Sequence, residues 1–139
     1  LLGKHDPVVM LECFRTMYDH ADMVTGHYIR MHDLPIINGS MVEHGLPCLA
    51  EKLTCDTKLD LVRKGPVISA SQENLAELFG IAAPKVKMNT AKWRIANRLT
   101  PKGLKLTAAR AIGDVVQHMA LRRELTKRDL LGPPKTWRP

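Results

Sequence analysis

The chain has 139 residues, enough for one compact domain and too few for two of ordinary size, so a multidomain enzyme is not expected. Its 45% hydrophobic and 25% charged residues match an average globular chain and exclude a wholly disordered or collagenous one. Against that background 21 Lys+Arg oppose 14 Asp+Glu, and the formal net charge of +7 favours polyanionic partners.

The charge is unevenly placed. Residues 1–83 carry 7 basic and 11 acidic side chains, net −4, while 84–139 carry 14 basic and 3 acidic, net +11. Such asymmetry marks nucleic-acid or membrane contact, or a basic half that lies on an acidic protein neighbour. Cys13, Cys48 and Cys55 are an odd set without a CxxC pair, which argues against a disulfide framework or a zinc ribbon and for a reducing intracellular compartment. No apolar run approaches the roughly 20 residues that cross a bilayer, so no membrane insertion is expected. A start at Leu1 and not Met means either that a leader is cut away or that a disordered start is omitted; the first is compatible with entry into an organelle, and the mitochondrial matrix is the compartment suspected.

In chain order, Asp6-Pro7 opens a helix over 7–24: Asp caps free amides, Pro suits the first helical position, and Met10, Phe14, Met17, Ala21 and Val24 form an apolar stripe ahead of Gly26. Pro35 and Asn38-Gly39-Ser40 mark a loop. Short helices are expected at 46–54 and 58–64, the latter ended by Gly65-Pro66. Ser69 and Gln72 form a capping-box pattern for a helix that ends at Gly80. A helix over 84–99 follows, then a turn at Thr100 to Gly103. The last helix, 107–128, is capped by Thr107 and packs through Ala108, Ala111, Ile112, Val115, Val116 and Met119, continuing with Leu121 and Leu125. Gly132-Pro133-Pro134 stops it and leaves an extended tail. The expected fold is all-α: about five to six helices in one bundle over 1–130, acidic-leaning over 1–83 and basic over 84–130, with an extended basic tail over 131–139.

Gln72 to Ala91, QENLAELFGIAAPKVKMNTA, resembles a helix-turn-helix, with Ala76 small at the helix crossing, Gly80 at the turn, and Leu75, Phe79, Ile81 and Val86 at apolar positions. The resemblance implies that the second helix, within 72–99, enters a DNA major groove carrying Lys85, Lys87, Asn89, Thr90, Lys92 and Arg94. The basic residues run on through Arg98, Lys102, Lys105, Arg110, Arg122, Arg123, Lys127 and Arg128, which fits an extended footprint on phosphates better than a single reading head. Trp93, among Lys92, Arg94 and Arg98, either stacks on a base or a guanidinium or enters the core. Trp137 and Arg138, on the tail, are read as anchors for a partner protein.

Catalytic chemistry finds no constellation. His32-Asp33 shares the dipeptide of HD-type phosphohydrolases without that family's other ligands, and His44, Cys48 and Cys55 match no zinc spacing. Ser40 lacks a GxSxG elbow, and the glycines form no phosphate loop. The expectation is therefore a non-enzymatic accessory subunit of a large assembly, with neither cofactor nor metal. Its first form is a ribonucleoprotein such as an organellar ribosome, with 84–139 on RNA, rRNA in that setting, and 1–83 on neighbouring protein subunits. A helix-turn-helix DNA binder and a protein-only subunit of a mitochondrial complex are the alternatives.

Overall fold

The structure, a computed structural model, describes residues 6–62, 69–82 and 86–139. Among the described residues there are five helices and a three-stranded mixed sheet, so the fold is α/β and the all-α expectation is corrected. Contacts divide the chain into two compact units. Among the described residues, 6–62 and 125–139 form the first and 69–82 and 86–124 the second.

In the first unit α1 (Pro7–His20) starts as its sequence predicts, with the Asp6 carboxylate accepting from the Val8 and Val9 amides at 2.9 and 3.4 Å. It stops four residues short of expectation because the chain leaves the helix at Ala21 for β1 (Met23–Gly26). The face turned inward is also different. Leu11 and Tyr18 are buried with Phe14 packed beside them, while Met10 and Met17 are exposed. A helix then forms where a loop was expected: α2 (Asp33–Glu43) runs through Pro35 and Gly39. Pro35 lies in the first turn, where its missing N–H takes nothing from the helix. Asn38, a residue that usually favours turns, accepts from the Leu49 amide at 2.8 Å and so holds the helix to the chain leading to β2.

Of the helix expected at 46–54, residues 46–51 have no regular structure and 52–54 open β2 (Lys52–Asp56). It pairs in parallel with β1, Met23 opposite Leu53 and Gly26 opposite Asp56, with α2 as the crossover. On its other side it pairs antiparallel with β3 (Lys135–Trp137), Lys52 opposite Trp137. The expected free tail is therefore an edge strand of this sheet. Of the helix expected at 58–64, residues 57–59 form turns and Leu61 bridges to Leu131, while 63–68 lie outside the described residues. The core gathers Leu11, Tyr18, Ile29, Leu34, Met41, Leu49 and Trp137.

The second unit contains α3 (Gln72–Leu78), α4 (Thr90–Ala96) and most of α5 (Pro101–Lys127). Ser71, not Ser69, caps α3 by accepting from the Asn74 amide at 3.2 Å. Gly80 closes it at φ +63, a left-handed position suited to glycine. α5 begins six residues before the expected cap. Pro101 takes the first helical position and the Thr100 hydroxyl accepts from the Gly103 amide at 3.2 Å, so the expected turn is a helix start. Of the row expected to pack, Leu121 and Leu125 are buried, while Ile112, Val115, Val116 and Met119 face outward and Gly103 and Gln117 are buried in their place.

Candidate nucleic-acid interface

α4 begins at Thr90, six residues after the start expected for a reading helix. Asn89 is its cap, accepting from the Lys92 amide at 2.9 Å, and so is not placed on the helix to read a base. α3 ends at Leu78 and residues 86–89 are not helical, so α4 lacks the start that the resemblance implies, and Pro84 and Lys85 lie outside the described residues.

What forms instead is a cleft of about 330 Å³ lined by Glu73, Lys87, Met88, Trp93 and Arg110. Each wall has an identifiable support. Gln72, beside Glu73, donates from Nε2 to the Asp114 carbonyl at 2.9 Å and to Gln117 Oε1 at 3.1 Å, tying α3 to α5. The segment that carries Lys87 and Met88 is held at two carbonyls: Arg110 Nη1 donates to Val86 at 2.8 Å and Lys92 Nζ to Lys87 at 2.8 Å. Arg110 Nε also meets Asp114 at 2.8 Å, one turn along the same helix. Gly103 lets α5 approach α4, since a Cβ there would run into the Ile95 carbonyl oxygen. Trp93 is 50% exposed, and Lys87 beside it is exposed too.

Among the other predicted contacts, Arg94, Arg98, Lys102, Lys105 and Arg123 are exposed on this unit, and Arg122 is half-buried. Lys92 and Arg110 are half-buried and bonded within the unit, as described. Lys127 and Arg128 are exposed but belong to the first unit. Trp137, expected as an anchor, is 7% exposed within the first unit's core, because β3 carries it there. Arg138 Nε meets Glu51 at 3.1 Å at the surface.

The first unit has a second polar constellation, at the carboxyl ends of the parallel strands, that sequence reasoning missed. Asp56 accepts from the amides of Tyr28, Arg30, Lys58 and Leu59 at 2.9, 3.2, 3.0 and 3.1 Å. Asp60 accepts from the Asp56 amide at 2.8 Å, pairs with Arg30 and lies 3.6 Å from Lys135 Nζ. Both carboxylates are buried, and their acceptors are turned toward the protein's own backbone and cations. Tyr28, held at φ +68, carries its ring under Lys58 Nζ at 3.7 Å. The arrangement locks the loop after β1 to the loop after β2.

The chain matches no family model, no curated protein and no solved structure. Among the described residues no cluster of three His, Cys, Asp or Glu is placed to hold a metal ion, and no helix is long and apolar enough to cross a membrane.

Proposed function

We propose that this protein is an RNA-binding accessory subunit of a larger assembly, with the second unit as its RNA-facing part. The observation that carries the reading is the set of exposed cations Lys87, Arg94, Arg98, Lys102, Lys105 and Arg123 on that unit. Cations of this kind neutralise phosphates and release counterions, so binding to RNA depends steeply on salt. Support comes also from the half-exposed Trp93 among them, since RNA recognition adds stacking to charge.

The test is binding of the whole chain to labelled structured RNA across a salt series, beside the variant in which Arg98, Lys102, Lys105 and Arg123 are all Gln. The four substitutions weaken binding and flatten the log–log salt slope by about 3 to 4, at roughly 0.7 to 0.9 per phosphate contact. An unchanged slope refutes the reading.

A second reading, a subunit that faces only protein, draws on a different observation. Ile112, Val115, Val116 and Met119 are exposed at helical spacing on α5, a row of the kind that partner helices cover. It predicts no RNA binding even at low salt.

A further inference from the structure

The cleft between α3, α4 and the 86–89 segment differs in kind from the exposed cations around it. Cations spread over a surface bind a phosphate backbone in any conformation; a concave site with an indole in its lining takes a flat group. At about 330 Å³ the cleft is at the small end of the range for ligand sites, which suits one nucleotide and not a helix groove or a peptide. Its lining is divided by charge: Lys87 and Arg110 are cationic, and Glu73 is an acceptor. Arg110 is committed to the Val86 carbonyl and to Asp114, so Lys87, exposed on a segment pinned at its own carbonyl and at the one before it, is the cation presented to a phosphate. Glu73 repels a phosphate and accepts from a base N–H, as carboxylates do from the amino group of cytosine.

We infer that this cleft holds a single unpaired nucleotide, its base stacked on Trp93 with an amino group toward Glu73 and its phosphate beside Lys87. The inference rests on the RNA-binding reading and narrows it: paired bases cannot reach an indole in a cleft, so the site distinguishes single strands and loops from duplex. The pinned segment supports this, because a wall held by Arg110 and Lys92 is in place before the nucleotide arrives.

The test measures anisotropy of labelled RNA on the whole chain, with a twelve-nucleotide oligocytidylate and a duplex RNA of equal length, at one low salt concentration. Trp93→Ala and Trp93→Phe are compared with the unaltered chain, and circular dichroism confirms that each is folded. Trp93→Ala is expected to weaken oligocytidylate binding about tenfold and leave duplex binding unchanged, with Trp93→Phe close to the unaltered chain. Equal loss on both RNAs, or loss on neither, overturns the nucleotide site and leaves phosphate binding standing. No binding of either RNA by the unaltered chain overturns both readings together.

Discussion

Arg110 joins α5 to the segment before α4 by donating from Nη1 to the Val86 carbonyl at 2.8 Å, while its Nε is paired with Asp114. A residue that charge alone marks as a phosphate contact is thereby a brace of its own unit. Arg110→Ala removes a charged donor from a half-buried carbonyl and is expected to lower stability by about 1 to 2 kcal/mol. Lys102→Ala, at an exposed position, is expected to stay within about 0.5 kcal/mol of the unaltered chain. Urea unfolding of the two variants checks this, and equal midpoints would show that the brace contributes nothing.

Asp56 gathers four backbone amides onto one buried carboxylate. Asp56→Ala leaves those donors unsatisfied, and the expected loss is about 3 kcal/mol or more. The accompanying readout is amide hydrogen exchange. Tyr28, Arg30, Lys58 and Leu59 should lose protection together, and protection retained at all four would overturn the lock.

α5 offers a paired test of which side of a helix is inside. Leu121 is fully buried whereas Ile112 is 64% exposed. Leu121→Ala is expected to cost about 2 to 5 kcal/mol and Ile112→Ala less than about 0.5. Thermal denaturation of both variants decides the matter, and a larger loss at Ile112 would place the apolar row inside after all.

Tyr18 sets an alkaline limit on the first unit. Its hydroxyl donates to the Ala50 carbonyl at 2.8 Å. Burial, reinforced by the neighbouring Asp19 charge, pushes its pKa from 10.0 up to about 12. The folded state thus holds this proton more tightly than the unfolded chain. Its contribution is complete below pH 10.0 and is lost as pH rises through about 12. Tyr18→Phe cannot ionise, so its urea midpoint should fall less over that interval than that of the unaltered chain. Parallel declines would sink the assignment.

Local signals were legible where they act through one turn of backbone. Asp6-Pro7 capped α1, and Gly80 closed α3. Thr100-Pro101 was read as a turn because its two residues serve a turn and a helix start equally well, and only the continuation decides. The strands were hidden for a different reason. β1 has four residues and β3 three, too few for alternation to register, and β2 ends in three buried residues in succession. Pro35 and Asn38 argued for a loop by local preference and were overridden by position in the first turn and by the bond to Leu49. Of the cleft, Trp93 among cations was visible beforehand. Glu73 and Arg110 lie 20 residues before it and 17 after it, and nothing in the local pattern joins them.

The placement of β3 bears on how the protein is made. The Thr54 hydroxyl donates to the Lys135 carbonyl 81 positions later, and the whole second unit is encoded in between. A nascent chain that has already delivered β1 and β2 therefore leaves the ribosome with one edge of β2 bare, a template for pairing with a stranger. At about 5 to 20 residues per second, translating those 81 positions takes roughly 4 to 16 s. During that interval the edge of β2 that β3 will cover has no partner from its own chain.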